Sequence, residues 1–169
     1  MPSKENTKHQ VLLLGKSTFS SFKTKKIIKF QKTNHSLKIK SITDLFVLEI
    51  TQKSYQSNKT KILKLLDARE VKDIGQNSII ICPRRGTESP WASKSKDIFI
   101  SCGVEDLFNI EKLRLYKTEG VNELNDSELF DPLTEEHIKK ENLSNLFYKN
   151  KKMLLKEIDL KQNINEINA

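Results

Sequence analysis

The most constraining feature of this sequence is the run Ser-Ile-Ile-Ile-Cys at residues 78–82. Its three consecutive β-branched residues have restricted side-chain rotamers and pack well on a pleated surface. A near-continuous apolar run of this length is typical of a strand that is buried on both faces. We therefore predict a central strand here, around which the rest of the chain forms a sheet.

A clear helix start follows this strand. Ser89 is the preferred type of residue for an N-cap, and Pro90 after it suits the first helical position. Gly103 suits the position just beyond a helix C-terminus, where a left-handed conformation is common. The sequence therefore predicts a helix over residues 90–102.

The remaining apolar periodicity predicts further strands and helices in alternation. The strands are expected at residues 10–15, 37–42, 45–50 and 108–117, and the helices from Ser17 or Thr18 to about Thr33, at 58–68 and at 126–138. This order predicts an α+β fold of two similar β-α-β halves, with helices packed on an antiparallel sheet. We expect a disordered leader at 1–9, one domain at 10–145, and the start of a partly disordered linker at 146–169.

The charge of the chain points weakly to nucleic acid. The 169 residues carry a formal net charge of +8, but only four of the 30 basic residues are arginine. Nucleic-acid readers use arginine for bidentate contacts and aromatic residues for stacking, and no aromatic ladder is visible. We interpret the excess as compositional bias with solvated faces. The alternative is a nucleic-acid patch on Lys23, Lys25, Lys26, Lys29 and Lys32.

Several other classes lack their signatures. No apolar run approaches the roughly 20 residues that a membrane helix needs, and no secretory signal is visible, so we expect a cytoplasmic protein. Cys82 and Cys102 form no CxxC motif and the histidines are scattered, which predicts no metal site. We expect two buried thiols, although a disulfide between them stays open. Phosphate loops and common hydrolase motifs are absent, so we assign no catalytic and no cofactor-binding residue.

The turn between the predicted strand and helix is the best candidate site. Arg84, Arg85 and Gly86 lie immediately before a helix N-terminus, where backbone amides and the helix dipole favour anions. Paired arginines can hold a phosphate or a carboxylate of a partner. In the alternative interpretation, Arg84 pairs with Asp97 or Glu88, and Trp91 fills the core.

Residues 82–103 also resemble the N-terminal domain of phosphoribosylformylglycinamidine synthase in its large single-chain form. The shared pattern reads P-R-x-G-T-x-S-P-W-x-S-K-x-x-D-I-x-x-x-C-G, and Arg85 stands where that family usually has a second proline. Weaker echoes extend the resemblance over residues 11–160. The matching residues are Pro83, Arg84, Gly86, Thr87, Ser89, Pro90, Trp91, Ser93, Lys94, Asp97, Ile98, Cys102 and Gly103.

The resemblance carries definite expectations. That family converts formylglycinamide ribonucleotide, glutamine and ATP to formylglycinamidine ribonucleotide in purine biosynthesis. It is an ATP-dependent carbon–nitrogen ligase of the glutamine amidotransferase type. Its N-terminal domain is similar to a dimer of a small accessory subunit and lacks the ATP, magnesium and glutaminase sites, which lie in later domains.

This chain is accordingly expected to be a non-catalytic interdomain module without a cofactor of its own. Its expected partners are the synthase and glutaminase domains of the same enzyme, with no membrane and no nucleic acid. The expected interface or anion-binding residues are Arg84, Arg85, Gly86, Thr87, Ser89, Trp91, Lys94 and Asp97. The alternatives are a free-standing lysine-rich nucleic-acid-binding module and a degenerate gene fragment.

Overall fold

The computed structural model describes residues 7–34, 38–86, 88–119 and 129–148. The fold is α+β, as predicted, with an antiparallel sheet and helices packed on it. The strands are β1 (Lys8–Gly15), β2 (Lys38–Thr51), β3 (Ala68–Glu70), β4 (Ser78–Pro83), β5 (Leu107–Glu119) and β6 (Glu135–Ile138). The helices are α1 (Ser21–Asn34), α2 (Gln52–Leu66) and α3 (Pro90–Ser101), followed by a short 3-10 helix, Lys140–Asn145.

The six strands form one sheet in the order β3-β1-β2-β5-β4-β6. The two longest strands, β2 and β5, pair antiparallel at its centre, where Leu45 lies opposite Leu113. The stretches 37–42 and 45–50, predicted as separate strands, belong to the single strand β2, because this long pairing continues through Thr43 and Asp44. Strand β4 is buried along Ile79–Cys82, as predicted, between β5 and β6.

The three helices cover one face of the sheet. Phe46 and Leu48 of β2 pack there with Tyr55 and Ile62 of α2 and with Phe99 of α3. A neighbouring apolar cluster on the same face includes Ile42, Ile79 and Tyr116, against which Ile27 and Ile28 of α1 pack. Alternation of side chains along the strands sends these residues to the helical side.

The opposite face has a different cover. Leu45 and Val47 of β2 and Leu113 of β5 point there and are fully buried. Their cover comes from Ile74, in the loop between β3 and β4, and from Leu143 and Leu146 in and after the 3-10 helix. The segment after β6 is therefore part of the core, although the sequence analysis placed Leu146 in the linker.

The predicted start of the first helix is wrong by a few residues. The Ser20 hydroxyl accepts a hydrogen bond from the Lys23 amide (3.2 Å), so Ser20 acts as the cap in place of Ser17 or Thr18. The hydroxyl of Thr18 instead donates to the carboxylate of Asp44, which is buried in β2. This bond fixes the loop before α1 to the centre of the sheet.

Helix α2 begins earlier than the predicted residue 58. The hydroxyl of Thr51 caps it by accepting from the amide of Ser54 (3.2 Å), directly after β2 ends. The first turns are polar, so the apolar periodicity used for the prediction marks only the second half. In this second half, Ile62 is fully buried, whereas Leu65 is 43% exposed.

The helix predicted over residues 126–138 is wrong for its described part. Residues 132–134 form a turn, in which Asp131 accepts a hydrogen bond from the amide of Leu133 (2.9 Å). Strand β6 follows and pairs with β4, with Ile138 opposite Ile80. The helix was predicted from local sequence alone, but pairing with a distant strand decides the structure. Residues 120–128 lie outside the described residues.

The structure describes only parts of the segments that flank the predicted domain. Strand β1 begins at Lys8, inside the predicted leader, and the residues before Thr7 lie outside the described part. The predicted linker lies outside the described part from residue 149 onward. Among the residues that the structure describes, no helix is long and apolar enough to cross a membrane.

The central pairing predicts a large stability difference between two leucines. Leu113 is fully buried opposite Leu45, whereas Leu65 lies on the outer side of α2 and is 43% exposed. We expect Leu113→Ala to lower the free energy of unfolding by about 3 kcal/mol, through lost burial and a cavity. The matched variant Leu65→Ala is expected to change it by less than about 1 kcal/mol. Urea unfolding measures both, and equal losses would contradict this core assignment.

Candidate functional site

The predicted arginine turn leaves the end of β4 and is tied to the strand beside it. The amide of Arg84 donates to the carbonyl oxygen of Thr134 (3.0 Å), just before β6. Gly86 has φ +92°, a conformation that residues with a side chain rarely adopt. Among the residues that the structure describes, none would lie within 4 Å of a Cβ atom at Gly86.

Arg85 is locked to Glu136 of β6. Its Nε and Nη2 atoms donate to the two carboxylate oxygens of Glu136 at 2.9 and 3.0 Å, and its amide donates to Oε1 at 2.6 Å. These bonds from Arg85 lower the pKa of Glu136. Planar bidentate pairing of this kind fixes the guanidinium in orientation as well as in position. The side chain of Arg85 therefore has a fixed orientation at the turn.

Ser89 caps α3, as predicted, and also binds the buried carboxylate of Glu111. Its hydroxyl accepts from the amide of Ala92 (3.0 Å) and donates to Oε1 of Glu111 (2.7 Å). Glu111 lies on β5 and is only 6% exposed. Burial raises the pKa of Glu111, and the bond from Ser89 partly offsets this effect. The loop before α3 is thus fixed to a central strand, as Thr18 and Asp44 fix the loop before α1.

Trp91 belongs to the interior side of α3. Its ring stacks on Phe46 with 5.5 Å between centroids, and the ammonium group of Lys112 lies 5.3 Å from the Trp91 centroid. The ring is half-buried against the apolar cluster of the helical face. This position agrees with the alternative in which Trp91 fills the core.

A cleft of about 470 Å³ opens beside the arginine turn, and we call it the arginine cleft. A smaller cavity of about 50 Å³ adjoins it, shares Arg84, Arg85, Gly86 and Tyr148 with it, and reaches Glu111. Tyr148 is 68% exposed. The arginine cleft is lined by Arg84, Arg85, Gly86, Glu136, Asn145 and Tyr148.

The structure brings together only part of the predicted set. Arg84, Arg85 and Gly86 line the arginine cleft, and Ser89 lies nearby under the start of α3. Lys94 and Asp97 are exposed on α3 and line neither cavity. Thr87, also predicted for the site, lies outside the described residues. The set is therefore divided between the arginine cleft and the helix.

The sequence analysis missed the acidic and aromatic members of this region. Glu135 and Glu136 fall within the helix predicted over 126–138, but they lie on strand β6, where neighbouring residues point to opposite sides. Glu135 pairs with Arg114 of β5, whereas Glu136 pairs with Arg85. An acidic residue inside the predicted strand at 108–117, Glu111, was an available signal of a buried carboxylate.

Cys82 and Cys102 differ in burial, and the buried Cys82 thiol is not an activated nucleophile. Both are free, and burial raises the pKa of Cys82 to about 12. Its thiol donates weakly to the carbonyl oxygen of Glu136 at 3.6 Å. Cys102, predicted to be buried, is partly exposed at the end of α3. Within the described part of the chain, no group of three potential metal ligands comes together.

Comparison with known proteins assigns this domain to a family. A family model described as formylglycinamide ribonucleotide amidotransferase N-terminal matches residues 43–147. The chain belongs to this family. The resemblance noted for residues 82–103 is thereby confirmed, and the match reaches from the middle of β2 to the segment that covers the second face of the sheet.

A second comparison found a relative that is much longer than this chain. Phosphoribosylformylglycinamidine synthase from Schizosaccharomyces pombe is 32% identical over 81 residues. The aligned region is 44% of this chain but only 6% of that relative. The chain is thus similar to a small part of a much longer protein, and the family's amidotransferase N-terminal region includes all of the arginine cleft except Tyr148.

The double role of Ser89 predicts a measurable loss of stability in this amidotransferase N-terminal domain. Ser89→Ala removes the α3 cap and leaves buried Glu111 without its hydroxyl donor. We expect the free energy of unfolding to fall by about 2 kcal/mol. Ser93→Ala, at an exposed serine of the same helix, is the control and is expected to stay within about 0.5 kcal/mol. Equal unfolding midpoints for the two variants would refute the capping role.

Burial of Glu111 predicts a pH dependence. Because its pKa is raised above the ordinary 4.5 in the folded state, the stability that it contributes is complete in acid and is lost as the pH rises through the folded pKa. Glu111→Gln cannot titrate. We expect the wild type to lose stability relative to Glu111→Gln as the pH rises above about 4.5, measured by urea unfolding. A difference that stays constant over this range would exclude the raised pKa.

Proposed function

We propose that this chain is the non-catalytic N-terminal module of phosphoribosylformylglycinamidine synthase. The observation that carries the proposal is the family match over residues 43–147, supported by the full-length relative of which the aligned region is a small part. In this role the chain takes part in purine biosynthesis in the cytoplasm. Its partners are the synthase and glutaminase domains of the same ligase, and ATP and magnesium act in those domains.

The element order supports a domain built from two similar halves. Helices α1 and α3 begin at Ser21 and Pro90, and strands β2 and β5 begin at Lys38 and Leu107, which is 69 residues in both cases. The sheet order β3-β1-β2-β5-β4-β6 is symmetric if β1, β2 and β3 correspond to β4, β5 and β6. We infer that the domain is arranged like a dimer of a small subunit fused into one chain.

The role proposed for the module is structural. The exposed side of the segment from Arg84 to Lys94 packs against the synthase domain, where it shapes the rim of the substrate site or the path of ammonia. The support is the arrangement of Arg84, Arg85 and Gly86 beside an open cleft. Trp91 is only half-buried, but its ring stacks on Phe46, so we assign it to packing of the domain and not to this interface.

Reconstitution tests the proposal. The synthase of the same organism is produced without the region equivalent to this chain, and the formation of formylglycinamidine ribonucleotide from its substrate, glutamine and ATP is measured. We expect little activity from either part alone and restored activity when the two are mixed. We also expect this chain and the shortened synthase to form a stable complex on size-exclusion chromatography.

Two results would reject the proposal. Turnover by this chain alone would show that it is catalytic, and a chain that is folded by circular dichroism but neither binds nor restores the synthase would show that it is not its module. Lys53→Gln serves as the control, because Lys53 is exposed on α2 and lies outside both cavities and outside the segment from Arg84 to Lys94. Full restoration is expected with this variant.

A further inference from the structure

We propose that Leu133 and Tyr148 anchor this domain in apolar pockets of the synthase part of the enzyme. This inference rests on the proposed function and names the chemistry of the contact. Leu133 is 80% exposed and Tyr148 is 68% exposed, so both are among the three most exposed large hydrophobic side chains of the described residues. We call these two residues, together with the arginine turn at residues 84–86, the anchor surface.

Leu133 is presented by a turn that hydrogen bonds hold in place. The carboxylate of Asp131 accepts from the amide of Leu133 (2.9 Å) and from the hydroxyl of Thr134 (3.2 Å). The carbonyl oxygen of Asp131 accepts from the amide of Glu135 (2.8 Å), and the ring of Pro132 fixes its own φ. Because this turn is already ordered, a partner that covers Leu133 loses little free energy to ordering the backbone.

The Leu133 turn is joined to the arginine turn. The amide of Arg84 donates to the carbonyl oxygen of Thr134, the residue that follows Leu133 (3.0 Å). Tyr148 lines the arginine cleft together with Arg84 and Gly86. The two exposed apolar side chains therefore border the same turn, and one partner can contact both of them.

Apolar burial, and not charge, supplies the attraction at this surface. Two arginines and three glutamates line the two cavities beside the turn, so their formal charges leave no cationic site. Burial of an exposed leucine is favourable in proportion to the apolar area that it removes from water, and a tyrosine ring adds a large area with a polar tip. The charged lining residues are Arg84, Arg85, Glu88, Glu111 and Glu136.

The course of the chain in the family favours the synthase part as the occupant. The matching family model describes an amidotransferase N-terminal region, and the match ends at residue 147, directly before Tyr148. The aligned region is only 6% of the relative from Schizosaccharomyces pombe, so most of that enzyme lies outside it. The domains that follow an N-terminal region of this kind therefore continue from the anchor surface.

The experiment measures binding of the full chain to the shortened synthase by isothermal titration calorimetry. We expect Leu133→Ala and Tyr148→Ala each to weaken binding about tenfold or more, because each loses apolar burial in the complex. Leu65→Ala removes the same side chain from α2, outside the anchor surface, and is expected to bind like the wild type. The urea midpoint of Leu133→Ala is expected to equal that of the wild type, because this leucine is 80% exposed.

Two results would overturn the inference. The first is that Leu133→Ala and Leu65→Ala bind equally well. The second is that the affinity of the wild type falls about tenfold between about 0.05 and 0.5 M NaCl, which would indicate an interface held by charge. Reconstitution separates the anchor surface from the proposed function. If Leu133→Ala and Tyr148→Ala bind and activate the synthase like the wild type, only the anchor surface fails, whereas a wild-type chain that does neither refutes the proposed function and the anchor surface with it.

Discussion

The pairing of β2 with β5 is the interaction on which the rest of the structure depends. These two long strands lie at the centre of the sheet, and each carries one buried carboxylate, Asp44 on β2 and Glu111 on β5. Thr18 binds the first and Ser89 binds the second, so the loops before α1 and α3 are both fixed to the central pair. The positions of α1 and α3 on the helical face of the sheet therefore follow from the register of β2 and β5.

The candidate site depends on the β2–β5 pair indirectly, through strand β4. The arginine turn begins where β4 ends, and β4 is held by β5 on one side and by β6 on the other. Because β6 supplies Glu136, the orientation of Arg85 depends on the pairing of β4 with β6, two strands that are far apart in the sequence. Weakening of β6 would therefore disturb the arginine cleft together with the core cluster that contains Ile138.

The features that local sequence determines were predictable, and those set by distant contacts were not. Ser89 with Pro90 predicted the start of α3, and the β-branched run predicted β4, because both signals are contained in a few residues. Strand β6 was missed because its apolar content is small and its structure comes from pairing with β4. Because β6 was not predicted, Glu136 could not be placed beside Arg85, and the ion pair between them could not be inferred either.

Arg85 shows how this chain keeps the turn while departing from the family pattern. A proline at this position would fix φ but could not donate from its backbone nitrogen. Arg85 donates its amide to Glu136 at 2.6 Å and adds two bonds from the guanidinium, so hydrogen bonding replaces ring rigidity. The same substitution brings a second cation to the arginine cleft. Because Glu136 pairs with this cation, Arg85 also ties the turn to strand β6.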